Sequence, residues 1–142
     1  VKASSSKFCG CIYWTSGTLA RKINKMAEDA WAPMDLAPGQ AYLLLLVLEN
    51  PGCQPLELSR ELHLAPSTIT RFIEKLEEKN LISRATEGKL TNVFPTAAAK
   101  RLKDKMARCR GNFMHAFQNA LGKKESEILV SHLVKAADKL DT

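Results

Sequence analysis

Ser67, Thr68, Thr70 and Arg71 fall within five consecutive positions, and three of the four carry a hydroxyl. Short hydroxyls of this kind reach phosphate oxygens or base edges. An arginine beside them can fork to guanine O6 and N7 or clamp a phosphate, which is the chemistry of reading a DNA duplex. A second set lies near the start of the chain, in Phe8-Cys9-Gly10-Cys11-Ile12-Tyr13. A thiol near a helix N-terminus can be held as the reactive thiolate, so Cys9 and Cys11 are candidate redox groups. They serve equally well as small packing residues, and a disulfide between them would be strained.

The polar set needs a helix to carry it, and the sequence after Leu64 supplies one. Pro66 suits a first helical position, where its missing N–H is not needed. Ile69, Phe72, Ile73 and Leu76 follow helical spacing and face a core, which leaves Ser67, Thr68, Thr70 and Arg71 largely off the apolar stripe. Asn80 falls where a helix often ends in a left-handed residue, with Leu81 packing back on the last turn. Taken alone this is also an ordinary amphipathic helix with a polar outer face. The flanks decide between the two. Pro55 to Leu62 reads as a short helix with Glu57 in its first turn, Leu56, Leu58 and Leu62 facing inward, and His63-Leu64-Ala65 as a tight connection. The pair forms a helix-turn-helix. Downstream, Leu81, Ile82, Val93 and Phe94 are strand material around the turn signal Glu87-Gly88-Lys89, predicting a β-hairpin wing with Lys89 at its tip.

Outside this region three helical stripes are expected. Phe8, Ile12, Leu19, Ile23, Met26 and Ala30 lie on a helix from about Lys7. Leu102, Met106, Cys109, Phe113, Phe117 and Ala120 lie on one from Thr96 to about Ala120, and Leu129, Leu133, Ala136 and Leu140 on one from Lys123. Terminal helices this amphipathic need a partner surface, and a second copy of the chain is the simplest partner. The expected architecture is mostly α with a small β-hairpin wing. It is a single domain over 1–142, with a winged helix-turn-helix lobe at 36–100 and dimerisation helices at 7–30 and 101–142.

Composition narrows the function classes. The chain has 142 residues and a net charge of +6, or +12 as a dimer, which favours a polyanionic partner. Residues 55–105 hold ten Lys or Arg and seven Asp or Glu, so the charge is not piled into the motif. Arg60, Arg71, Lys75, Arg84 and Lys89 are the candidate basic contacts, with Lys75 reading best as a solvated surface charge. No run approaches the ~20 apolar residues of a membrane span, and no signal-peptide pattern precedes the first helix, so a cytoplasmic protein with no membrane partner is expected. His63, His115 and His132 are scattered and the cysteines lack a second close pair, which argues against a metal site. Cys109 reads as a core residue and Cys53 as a loop residue. There is no glycine-rich phosphate loop and no paired-carboxylate or Ser/His/Asp arrangement, so neither an enzyme nor a cofactor is expected.

From Leu36 to about Leu102 the chain resembles the MarR family of winged helix-turn-helix transcription factors. The resemblance rests on Leu-Ala-Pro-Gly-Gln-Ala-Tyr-Leu-Leu-Leu-Leu at 36–46, Ser-Thr-Ile-Thr-Arg at 67–71, Leu-Ile-Ser-Arg at 81–84, and a threonine, Thr96, opening the next helix. It implies a homodimeric repressor on a pseudo-palindromic operator, with Ser67, Thr68, Thr70 and Arg71 toward the major groove and Arg84 and Lys89 supporting from the wing. The family's wing carries Asp-x-Arg. Glu87 and Lys89 stand at those positions in a wing a few residues shorter, and a lysine lacks the planar fork of an arginine. Phe8 to Tyr13 is similar to the start of the first helix in the OhrR-like, peroxide-sensing branch, with Cys9 at the oxidised position and Tyr42 loosely matching one of its tyrosines. Release by thiol oxidation is one implied switch. A small aromatic ligand in a cleft lined by Tyr13, Trp14, Trp31, Phe113 and His115 is the other, and these residues also suit packing of a dimer core. The alternative in a different class is a winged-helix protein-interaction module without specific DNA binding.

Overall fold

Four consecutive leucines, Leu43 to Leu46, make helix α2 (Pro38–Glu49) apolar on nearly every side. A helix of that kind belongs inside a protein. Ala41, Leu43, Leu44 and Val47 are buried, and Leu45, Leu46 and Leu48 are half-buried. The computed structural model describes residues 1–141, which divide into two compact units. Helix α2 is the centre of the unit Trp31–Cys109. Around it pack α3 (Pro55–Leu62), α4 (Pro66–Glu78), the antiparallel strands β1 (Ile82–Glu87) and β2 (Leu90–Pro95), and the short helix α5 (Ala97–Arg101). Leu58, Ile69, Ile73, Leu76 and Val93 complete the core with no more than 2% of their surface exposed. Helix α2 approaches α4 closely at Gly39, where a Cβ would lie 2.7 Å from Cε2 of Phe72.

The second unit combines Val1–Ala30 with the chain from Arg110 onward. It holds most of α1 (Ile12–Trp31), the later part of α6 (Lys103–Leu121), and α7 (Lys123–Leu140). Little of it is buried. Ala27, Phe117 and Ser126 are covered, while Ile12, Tyr13, Trp14, Met114, Val130, Leu133 and Val134 are exposed. Within this unit Ile23, Phe113, Phe117, Val130 and Leu133 line an apolar cavity of about 510 Å³.

The expected helix from Lys7 begins instead at Ile12. The Ser6 hydroxyl accepts the Phe8 N–H (3.1 Å), and the N–H groups of Cys9 and Cys11 donate to Ser6 and Phe8 carbonyls (3.2 and 2.9 Å), so residues 6–10 form turns. The helix expected from Thr96 to Ala120 is two helices, α5 and α6, divided at Leu102. Among the described residues no helix is long and apolar enough to cross a membrane, and no group of three or more His, Cys, Asp or Glu side chains is placed to hold a metal ion.

Candidate nucleic-acid interface

The turn between α3 and α4 is closed by backbone geometry and one buried hydroxyl. His63 adopts a left-handed conformation (φ 53°), and the Leu64 N–H donates to the Ser59 carbonyl (3.2 Å). The Ser59 hydroxyl, 9% exposed, donates to the Leu64 carbonyl at 2.6 Å. Helix α4 then starts at Pro66, with the Ala65 carbonyl accepting the N–H groups of Thr68 and Ile69. It ends in a Schellman cap: Asn80 is left-handed (φ 58°), its N–H donates to Glu77, and the Leu81 N–H reaches the Leu76 carbonyl at 2.9 Å.

This frame turns Ile69, Ile73 and Leu76 into the core and leaves Ser67, Thr70 and Arg71 exposed, with Thr68 half-buried. The four residues singled out by their chemistry thus share one exposed stretch in the first half of α4. The Thr70 hydroxyl donates to the Pro66 carbonyl (3.0 Å), keeping its oxygen outward as an acceptor. Arg71 touches Thr68 Oγ1 through Nη2 at 3.4 Å, so its guanidinium keeps most of its donors free. Lys75 pairs with Glu78 at 3.4 Å on the open surface, a contact worth little. Arg60 is exposed in the last turn of α3.

The wing is a hairpin in which Glu87 pairs with Leu90 across the two-residue loop Gly88-Lys89. Gly88 takes φ 62°, a conformation that glycine alone adopts freely, and it places exposed Lys89 at the tip. The wing is braced from behind. The Gly52 N–H donates to the Val93 carbonyl, and the Val93 N–H to the Cys53 carbonyl, both at 2.8 Å. Thr96 ties the far end of β2 to the α4 cap, its hydroxyl donating to the Asn80 carbonyl (2.8 Å) and its N–H to Leu81 (3.0 Å). Arg84 is not free: its Nη2 lies 2.6 Å from Glu77 Oε1 on α4. Neither Glu77 nor Ser59 stood out in the sequence, because their partners lie seven and five residues away across turns whose geometry the spacing alone does not encode.

Cys9 is exposed and Cys11 half-buried, in the turns just before α1. Cys53 and Cys109 are buried, and burial, with the nearby Glu57 charge, pushes the Cys53 thiol above its ordinary range. Of the aromatic set, Tyr13 and Trp14 are exposed and in edge contact with each other, Phe113 lines the apolar cavity, and His115 is exposed outside it. Trp31 belongs to the other unit, fully buried beside Tyr42 (ring centroids 5.8 Å apart), with no hydrogen-bond partner for its Nε1 among the described residues.

Comparison with known proteins converges on one group. The MarR family model matches residues 36–87, from the residue before α2's N-cap to the end of β1. An uncharacterized HTH-type transcriptional regulator of Bacillus subtilis (strain 168), YybA, is 28% identical over 89 residues. That stretch is 61% of this chain and 59% of YybA, so the match spans about three-fifths of the relative's length. The transcriptional repressor CouR, solved on a 23-mer DNA duplex, superposes with a TM-score of 0.83 at 18% identity, covering 96% of this chain and 98% of its own. The same repressor is also solved with p-coumaroyl-CoA bound. The MarR protein from Peptoclostridium difficile DA00132 gives a TM-score of 0.77 at 22% identity, covering 99% and 91%. At these identities the structural likeness carries the fold. The MarR family model thus lies on the winged helix-turn-helix, and the chain shares its fold along nearly its whole length with a DNA-bound repressor and a MarR protein.

Proposed function

We propose that this protein is a sequence-specific, double-stranded-DNA-binding transcriptional regulator that acts as a homodimeric repressor, without enzymatic activity and in the cytoplasm. One observation carries the reading: the first half of α4 presents Ser67, Thr70 and Arg71 to solvent, off its buried stripe, in the same unit as a wing tipped by Lys89. A helix fits the major groove, where Arg71 meets guanine O6 and N7 or a phosphate and the hydroxyls of Ser67, Thr68 and Thr70 meet phosphates or base edges. The wing brings Lys89 to the neighbouring backbone. The DNA-bound repressor CouR, with the same fold, supports this use of it.

The dimer is supported by the unit of α1, α6 and α7, whose exposed Val130, Leu133 and Val134 continue the apolar lining of its cavity. Apolar surface of that extent marks an interaction site. A second copy covers it and sets two α4 helices roughly 34 Å apart, so the operator is a pseudo-palindrome. Two routes of release follow. CouR with p-coumaroyl-CoA supports a small-molecule route, and the exposed Cys9 beside the start of α1 supports oxidation by a peroxide to sulfenic acid. A second reading, a winged-helix module that binds protein in place of DNA, rests on Leu56 and Leu90, both exposed on the central unit.

Selection of genomic fragments by the purified, reduced protein, repeated after mild peroxide, tests the proposal. Enrichment of one pseudo-palindrome is expected, and its loss on oxidation, abolished by Cys9→Ser, would assign the switch to the thiol. Absence of any enriched sequence refutes the DNA reading in favour of protein binding.

A further inference from the structure

We infer that Arg84 is a positioning residue and not a DNA contact, and that with Glu77 it sets the angle at which the wing leaves α4; this rests on the DNA-binding reading above. Arg84 Nη2 and Glu77 Oε1 lie 2.6 Å apart, and their side chains are only 38% and 30% exposed. Each of the helix-surface pairs Lys25–Asp29 and Lys75–Glu78 has both side chains at least 60% exposed. Opposite charges that close in a partly shielded place attract more strongly than the same pair in open water.

Its location gives the ion pair a purpose. Glu77 is the penultimate residue of α4 and Arg84 the third of β1, so the pair spans the two arms of a corner whose vertex is the Asn80 cap. The backbone bonds of Leu81 and Thr96 fix the vertex, and the ion pair braces the arms one step out. From Arg84 to Lys89 the hairpin extends ~17 Å at the usual rise of a strand. A change of ~10° at the corner therefore displaces the tip by ~3 Å, as long as a hydrogen bond itself. The brace decides whether Lys89 meets a phosphate. Electrostatics point the same way, because a guanidinium neutralised by a carboxylate at 2.6 Å offers DNA little net charge, and the carboxylate would repel a phosphate drawn to it.

The test uses the full-length protein and the fragment it enriches, with thermal unfolding showing that each variant is folded. Glu77→Gln and Arg84→Gln should each weaken binding on the order of tenfold, the size of coupling found between residues in direct contact. The charge swap, Glu77→Arg with Arg84→Glu, should restore binding to within about threefold of wild type, since it rebuilds the brace. Lys89→Ala should weaken the wild type yet cost little more once Glu77 is Gln, a coupling that a mere loss of stability would not produce. The inference is overturned if Glu77→Gln binds as tightly as wild type or tighter and the swap binds worst, with the salt slope of Arg84→Gln shallower by ~0.9 per subunit, as for a lost phosphate contact. A wild type that retains no DNA refutes the DNA reading itself, which separates that failure from this one.

Discussion

Removing one oxygen from the turn that aims α4 should be measurable as stability. The Ser59 hydroxyl donates to the Leu64 carbonyl at 2.6 Å from a site 9% exposed, and the Leu64 N–H returns to the Ser59 carbonyl. Ser59→Ala keeps the second bond and deletes the first. The net worth of such a bond is about 0.5–1.5 kcal/mol, and a carbonyl left without its partner adds to the loss in so far as water cannot reach it. Leu64 is half-buried, so that addition is partial. Alanine's better helix propensity returns a few tenths. The balance is a loss of about 1–1.5 kcal/mol. In a unit of about 80 residues this lowers the midpoint of thermal unfolding by roughly 4–10 °C. Circular dichroism reads the shift, and hydrogen exchange at the α4 N-terminus should accelerate with it. Ser67→Ala, at an exposed position, should stay within about 0.5 kcal/mol and serves as the control. If Ser59→Ala unfolds at the wild-type temperature, the argument that this hydroxyl locks the turn is wrong.

Two further outcomes follow from the same structure. Val130 and Leu133 on α7 are each about half exposed, and burying that remainder is worth ~1 kcal/mol per side chain. Changing both to Glu therefore costs ~4 kcal/mol over a symmetric dimer, about a thousandfold in Kd, and sedimentation should show monomers; an unaltered dimer would place the interface elsewhere. The Cys53 thiol is pushed up in the folded protein by burial first and by Glu57 second, so the fold favours its protonated form. That contribution is fully present below the ordinary thiol value of 9.0 and is lost as pH rises through the higher folded value. The wild type should lose more stability than Cys53→Ala between about pH 8 and pH 10, and parallel curves would contradict the assignment.

The winged helix-turn-helix was legible because each of its parts is a local signal. Pro55 and Pro66 open their helices, Asn80 closes α4, and Gly88 with Lys89 turns the hairpin, each where its own backbone preference demands. What escaped reading depends on geometry that local sequence does not encode. Leu102 divides α5 from α6 with neither glycine nor proline to mark it. The β-bridge from Cys53 to Val93 joins residues forty positions apart. Arg84 looked like a free cation because the glutamate that holds it lies on the other side of a corner. Trp31 read as one of a set of cleft aromatics, yet it is buried beside Tyr42 in the unit that holds α4.

The central claim, that the exposed start of α4 reads DNA, is tested most directly by the affinity of wild type and Arg71→Ala for the enriched fragment over a range of salt. Arg71 is exposed and its side chain makes one long hydrogen bond, to Thr68, among the described residues, so its loss should leave stability within about 0.5 kcal/mol. A base contact should cost about 1–3 kcal/mol per subunit, roughly 5- to 150-fold each, and relax sequence preference at that position. A phosphate contact should weaken all sequences alike with a shallower salt slope. Either loss on a folded protein upholds the claim, and binding indistinguishable from wild type would contradict it.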